Sequence, residues 1–135
     1  MFLKRVFASL TIFLFLLTLH AQDPTKVRIV DLEDVATQIE NATSSSADGE
    51  GDFPVYLYGE KQMKKFDDLY MILVRHDLPA SDPNIYISVE LIDMEDKSSI
   101  YEMAKYMRVS GAAESGSFSI KVKEINTLQV MRKGY

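Results

Sequence analysis

The sequence contains no cysteine and only two histidines, and these absences exclude several kinds of chemistry. Without cysteine the chain has no disulfide, no thiol nucleophile and no cysteine-bound zinc. One of the histidines, His20, lies within the first 21 residues, which are described below, so His76 is the only one in the remainder of the chain. Stability has to come from packing, which a domain of this size can supply without cross-links.

Basic residues are also scarce relative to acidic ones. The chain has 15 Lys and Arg against 20 Asp and Glu, which gives a formal net charge of −5. Affinity for nucleic acid comes chiefly from basic side chains that neutralise phosphates, so no nucleic acid partner is expected. Direct binding to an anionic membrane surface is disfavoured for the same reason.

The first 21 residues have the layout of a secretory signal peptide. A basic pair, Lys4 and Arg5, precedes an uncharged apolar run over residues 6–19, and the small residue Ala21 follows. This order predicts cleavage between Ala21 and Gln22 and a periplasmic or secreted protein. The apolar run is shorter than the roughly 20 residues that span a bilayer, so an uncleaved membrane anchor is the less favoured alternative. All 20 acidic residues and all but two of the 15 basic ones remain after cleavage, so the formal charge becomes −7.

Two segments have the spacing of amphipathic helices, with apolar residues at i, i+3, i+4 and i+7. The first starts at Asp31 and ends near Asn41, and the second starts at Ser99 and stops at Gly111. Asp31 and Ser99 are suited to accept hydrogen bonds from the first turn of a helix. The apolar positions are Leu32, Val35, Ala36 and Ile39 in the first segment, and Ile100, Met103, Ala104 and Met107 in the second. Packing explains Met103 and Met107 better than binding of a soft metal does.

Alternation of apolar and polar residues predicts strands over 53–58, 85–92 and 118–123. The apolar run 69–74 is interpreted as a buried strand, although a helix over 60–74 fits the same residues. The order of these elements predicts an α+β fold, with a small, mostly antiparallel sheet of about four strands and two helices on one face. No internal repeat is evident.

Residues 42–52 are small, polar and acidic, and are interpreted as a flexible linker. It would join an N-terminal arm, residues 22–41, to a core domain of residues 53–135. Asp48, Glu50 and Asp52 match the alternate acids that open an EF-hand calcium loop. Phe53 and Gly59, however, stand where that loop needs Gly and Glu, so a flexible acidic linker is favoured over a weak calcium site and no metal site is assigned.

Candidate catalytic residues are few. His76 and Asp77 lie together after a predicted strand, but no Gly-x-Ser-x-Gly motif marks a nucleophile for them. A surface turn is the favoured interpretation. Asp93, Glu95 and Asp96 cluster between a predicted strand and helix, where a carboxylate pair would suit a hydrolase acting on glycans. A polar loop is the favoured interpretation there too, so neither an enzyme nor a cofactor is expected.

Tyrosine is the most suggestive residue type for function, because it combines an apolar ring with a polar tip and is enriched at protein interfaces. The sequence therefore predicts an exported binding or accessory module that recognises a protein or an envelope component by its surface. Two alternatives stay open: a small envelope hydrolase using residues 93–96, and a structural subunit whose exposed strand edge at 53–58 pairs with a neighbouring sheet. The oligomeric state is left open. The candidate binding residues are Tyr56, Tyr58, Tyr86, Tyr101 and Tyr106.

Overall fold

The computed structural model describes residues 25–131, which form one antiparallel sheet of ten strands in the order β4-β3-β7-β6-β5-β10-β1-β2-β8-β9. No helix within these residues is long and apolar enough to cross a membrane. The predicted signal segment lies outside them. The strands are β1 (Lys26–Asp31), β2 (Ala36–Ser44), β3 (Asp52–Leu57), β4 (Glu60–Lys65), β5 (Leu69–Val74), β6 (Tyr86–Asp93), β7 (Ser98–Ala104), β8 (Arg108–Ala113), β9 (Gly116–Lys121) and β10 (Ile125–Met131).

The sheet is curled around an apolar core. Alternation along the strands turns side chains toward the core, as in β1, where Val27 and Ile29 are at most 1% exposed. The strand β4 contributes no fully buried residue. The curl brings β3 close to β2, where the Ser44 hydroxyl donates a hydrogen bond to the carbonyl oxygen of Asp52 at 3.1 Å. Short 3-10 turns lead into β5 and β10, and they contribute Phe66 and Val122 to the core.

The prediction of an α+β fold is wrong, because the described residues contain no α-helix. The helix predicted from Asp31 is a β-hairpin. The Asp31 carboxylate accepts hydrogen bonds from the backbone N–H groups of Glu33 and Val35, at 2.8 and 3.0 Å. A helix cap also bonds its side chain to nearby backbone N–H groups, but here the bonds close a turn between strands. Leu32 and Val35 are each 54% exposed, so the predicted apolar face is not buried.

The second predicted helix is instead two strands, β7 and β8, joined by a turn. They do not pair with each other, since β7 lies between β3 and β6 whereas β8 lies between β2 and β9. Ile100 is 45% exposed whereas Met103 is 2% exposed, so the two lie on opposite sides of β7 rather than on one helix face. Pairing with β6 along the whole of β7 decides the outcome, because tertiary pairing overrides a weak local preference. Gly111, predicted to end the helix, lies within β8 opposite Phe118.

A short motif recurs in two of the hairpins. Residues 31–35 and 93–97 share the pattern Asp-x-Glu-Asp-x, and each joins two neighbouring strands. In each, the first Asp donates its backbone N–H to the carbonyl of the fifth residue, at 3.0 and 2.9 Å. The fourth residue is left-handed in both, with φ of 62° and 67°. This geometry is that of a three-residue hairpin loop, so the chain does contain a local repeat, contrary to expectation.

The N-terminal segment is part of the same sheet. Its β1 pairs with β10 on one side and β2 on the other, and β2 also pairs with β8. Residues 42–44 of the expected linker complete β2, and the turn over 45–51 leads into β3.

Candidate functional site

The structure places the five candidate tyrosines in different surroundings. Tyr56 and Tyr86 are in contact, with ring centroids 5.0 Å apart. Tyr101 is half-buried and packs against the core, with the Lys64 ammonium 5.0 Å from its ring. Tyr58 and Tyr106 lie in turns and are 97% and 55% exposed. Among these five tyrosines, Tyr56 and Tyr86 are the pair whose rings are in contact.

Tyr58 stands at the tip of the β3–β4 hairpin in a strained backbone conformation. Tyr58 and Gly59 connect the paired residues Leu57 and Glu60, and have φ of 52° and 80°. Two positive φ values define a type I′ turn, whose first central position favours Asn, Asp or Gly. A tyrosine there is costly because its Cβ is crowded in the left-handed region.

Tyr58→Asn is expected to raise the free energy of unfolding by about 0.5–1 kcal/mol, because Asn-Gly is the preferred pair for this turn. Urea denaturation measures the change. Tyr58→Ala is the matched control, since it removes the ring without providing a residue that tolerates the left-handed region. Equal gains from Asn and Ala would contradict the explanation by backbone strain.

Tyr106, in the turn between β7 and β8, is surrounded by lysines. The ammonium groups of Lys105, Lys121 and Lys123 lie 5.2, 5.7 and 4.9 Å from its ring centroid. The β8–β9 hairpin brings Lys121 to this turn by pairing it with Arg108. Backbone hydrogen bonds bring Lys123 there, since its N–H donates to the carbonyl of Lys105 at 3.0 Å. We call Tyr106 and these three lysines the lysine–tyrosine cluster.

The cluster carries positive charge that is not neutralised within the described part of the chain. Among residues 25–131, no carboxylate lies within 4.0 Å of any of its three ammonium groups. The distances to the ring mean that no two of these ammonium groups are more than about 11 Å apart. This is close to the Debye length of about 10 Å at 0.1 M salt, so the lysines repel one another. The Tyr106 ring offsets part of that repulsion.

A cleft of about 330 Å³ lies beside the cluster and shares two of its lysines. One wall is the loop between β5 and β6, and the other includes the start of β6. Arg75 and His76 also border the cleft. Its apolar lining consists of Leu78, Pro79, Ala80, Pro83 and Ile87, and its remaining members are Tyr86, Lys105 and Lys123.

Hydrogen bonds hold the loop against the sheet. Ser81 donates its N–H and its hydroxyl to the two carboxylate oxygens of Glu102, at 2.7 and 2.6 Å. The buried Ser88 hydroxyl donates to the carbonyl of Pro79 at 2.9 Å, and the Lys105 ammonium donates to that of Pro83 at 2.8 Å. The cleft is therefore preformed.

Arg75 is neutralised by two carboxylates. It forms two hydrogen bonds of 2.9 Å with Asp77 and one of 2.7 Å with Glu90. The guanidinium lowers the pKa of Asp77 from 3.8 to about 2. Hydrogen bonds lower the pKa of Glu90, with the larger effect from Ser98 and the next from Arg75. The two carboxylates in turn raise the pKa of Arg75. Lys105 and Lys123 are therefore the cations of the cleft that have no carboxylate partner within residues 25–131.

His76 has a structural partner. Its Nε2 lies 2.8 Å from the carbonyl oxygen of Ile125, so this nitrogen carries the proton and donates it. Asp77 forms its ion pair with Arg75. His76 therefore connects the loop after β5 to the start of β10, and Asp77 is held by Arg75.

The acidic residues proposed for a hydrolase form the second Asp-x-Glu-Asp-x turn. Asp93 accepts hydrogen bonds from the backbone N–H groups of Glu95 and Lys97, at 2.9 and 3.0 Å. Glu95 forms an exposed ion pair with Lys97 at 3.3 Å. In the acidic segment before β3, Asp52 accepts a hydrogen bond from the backbone N–H of Asp48 at 3.0 Å. No group of three or more His, Asp or Glu side chains among the described residues is placed to hold a metal ion.

The strand edge proposed for a structural subunit is not free. The strand β3, at Asp52–Leu57, pairs with β4 on one side and with β7 on the other. The outer strands of the sheet are β4 and β9. The edge strand β4 reads Glu-Lys-Gln-Met-Lys-Lys. Its charged side chains disfavour pairing with a strand of another molecule.

A larger depression of about 750 Å³ lies between β2 and the β8–β9 turn. Alanine and small polar residues line most of it, together with Glu40 and Glu114. It has no aromatic or large apolar side chain to anchor a ligand. The smaller cleft, with its apolar walls and two lysines, is therefore the stronger candidate site.

Sequence reasoning identified Tyr86 and Tyr106 but missed the lysines around them. The available signal was the reversal of charge after residue 108, where Lys121 and Lys123 contribute to a net charge of +2 over residues 109–135. Family models, curated proteins and solved structures were compared with this chain, and none of them matches it.

Proposed function

We propose that this protein is an exported, non-enzymatic binding module that recognises an acidic partner protein through the lysine–tyrosine cluster. The observation that carries the proposal is the placement of Lys105, Lys121 and Lys123 around one exposed tyrosine ring without a carboxylate from the described residues. Export rests on the signal-peptide pattern of residues 1–21.

The local charge supports this choice of partner. The whole chain is acidic, with a formal net charge of −5, so three clustered lysines stand against the overall charge. Mutual repulsion makes such a cluster unfavourable in the free protein, and an acidic partner relieves it. Tyr106 adds a large ring at the centre of the basic patch, which suits a contact that combines apolar burial with charge.

Binding to a blocked hexaglutamate peptide tests the proposal. We expect saturable binding that weakens between about 50 mM and about 300 mM salt, and no binding of the corresponding hexalysine peptide. Replacing Lys105, Lys121 and Lys123 with Gln is expected to reduce the affinity roughly tenfold, since each exposed ion pair contributes about 0.2–1 kcal/mol. Isothermal titration calorimetry measures both effects.

A second triple variant distinguishes the effect of the cluster on affinity from the effect of the overall charge. Replacing Lys61, Lys65 and Lys97 with Gln removes the same charge from exposed positions outside the cluster. We expect this control to retain the affinity of the unmodified protein within about twofold. Equal losses in the two triple variants would mean that the affinity follows the overall charge of the protein rather than the cluster, and would contradict the proposal.

A further inference from the structure

We infer that the cleft beside the cluster receives one apolar side chain of the partner, and that the partner presents it within an acidic segment. This inference rests on the proposed function and specifies the partner as an acidic peptide segment with an apolar anchor. It starts from the chemistry of the cleft, whose walls are apolar and whose unneutralised charges are all positive.

The apolar part of the cleft is suited to a side chain. Leu78, Pro79, Pro83 and Ile87 line a volume of about 330 Å³, at the lower end of the range of about 300–1,000 Å³ found for ligand sites. Leu78 remains 36% exposed. A single leucine or phenylalanine side chain suits this small space, and burial of apolar surface there would supply affinity that charge alone does not.

The charge and the cleft form one continuous surface. Lys105 and Lys123 border the cleft, and both also lie within about 5 Å of the Tyr106 ring. A partner residue inserted in the cleft therefore places its sequence neighbours next to these ammonium groups. Carboxylates at those neighbouring positions complement the lysines, whereas basic residues are repelled.

The walls are fixed before binding. The two hydrogen bonds from Ser81 to Glu102 and the one from Ser88 to Pro79 hold the loop in place. Pro79 and Pro83 restrict its backbone further. Little ordering is needed on binding, so a short peptide should suffice to detect the interaction.

Three blocked pentapeptides test the inference by calorimetric titration: Glu-Glu-Phe-Glu-Glu, Glu-Glu-Ala-Glu-Glu and Lys-Lys-Phe-Lys-Lys. We expect the acidic phenylalanine peptide to bind at least about tenfold more tightly than the alanine peptide, and the basic peptide not to bind. Equal affinity for the two acidic peptides would overturn the cleft inference and leave the proposed function standing. Absence of binding by both acidic peptides and by hexaglutamate would overturn both.

A blocking variant locates the anchor. Ala80→Phe fills the cleft, and is expected to remove the preference for phenylalanine while the affinity for the alanine peptide stays within about twofold. Ala112→Phe is the matched control, because it makes the same substitution at an exposed position of β8 outside the cleft. Retention of the full preference by Ala80→Phe would overturn the inference.

Two further measurements complete the test. Leu78→Ala enlarges the cleft at a partly exposed position, and is expected to weaken binding of the phenylalanine peptide about threefold or more, even if Ala80→Phe does not fold. The small anion 3-phenylpropionate is expected to bind at least about tenfold more weakly than the peptide. Equal affinity would identify a small organic acid as the ligand and overturn the assignment of a peptide.

Discussion

Phe66→Ala is expected to lower the free energy of unfolding by about 3–5 kcal/mol. Phe66 is fully buried in the 3-10 turn that connects β4, at the edge of the sheet, to β5 near its middle. Its ring centroid lies 4.6 Å from that of Phe53, and its N–H donates to the carbonyl of Gly51 at 3.0 Å. The truncation leaves a cavity in the core at the connection from β4 to β5. The loss is a large share of the roughly 5–15 kcal/mol that stabilises a typical domain.

Urea denaturation of Phe66→Ala and Phe118→Ala compares two truncations of the same size. Phe118 lies on the outer strand β9 and is only partly buried against the core. We expect Phe118→Ala to cost about half as much or less, because neighbouring groups and solvent can fill the space. A loss from Phe66→Ala no greater than that from Phe118→Ala would show that the connection before β5 does not anchor the core.

The sequence predicted strands better than it predicted how they assemble. Alternation marked 53–58 and 85–92 correctly as extended, within one residue of the observed β3 and β6. It did not distinguish a helix from a hairpin at 31–41, because Asp31 makes the same kind of hydrogen bonds at a helix start and in an Asp-x-Glu-Asp-x turn. The second copy of that motif, at 93–97, was the available evidence for a turn.

The helix predicted from Ser99 to Gly111 was wrong for a different reason. Met103 and Met107 are both buried, as a helix would require, but Met103 lies near the end of β7 and Met107 lies after the following turn, just before β8. Ile100 does not fit a buried helix face. It pairs with Glu90 of β6, and its side chain is exposed on the face of β7 opposite to that of Met103. Which apolar residues point inward is set by the partner strand, and pairing over a long sequence separation cannot be read from local spacing.

The candidate site was predictable only in part. Tyr106 was identified as an exposed aromatic residue, and Lys105 is its neighbour in the sequence, but Lys121 and Lys123 come from a separate segment of the chain. Lys121 reaches it through the register of β8 with β9, and Lys123 through a backbone hydrogen bond to Lys105. Those contacts are tertiary, so the sequence showed a basic C-terminal region without showing that its charges surround one ring.

Gly111→Ala is expected to destabilise the protein by about 1–3 kcal/mol, although alanine is normally the better strand residue. A Cβ atom at Gly111 would lie 2.6 Å from the carbonyl oxygen of Glu40 and 2.9 Å from Cδ1 of Ile39. The Glu40 oxygen cannot withdraw easily, because Glu40 pairs with β1 on one side and β8 on the other. Ile39 is fully buried. The glycine is therefore required at this close approach of β8 to the backbone of β2.

Thermal and urea unfolding of Gly111→Ala, alone and with Ile39→Val, identify which contact matters. Ile39→Val removes Cδ1 but leaves the Glu40 carbonyl in place, so we expect the double variant to recover less than half of the loss. Gly49→Ala is the control, because its added Cβ would meet only the Asp52 carboxylate, at 3.3 Å, and that side chain can move. We expect it to change stability by no more than about 0.5 kcal/mol. Full recovery in the double variant would place the conflict in the Ile39 side chain rather than in the backbone of β2.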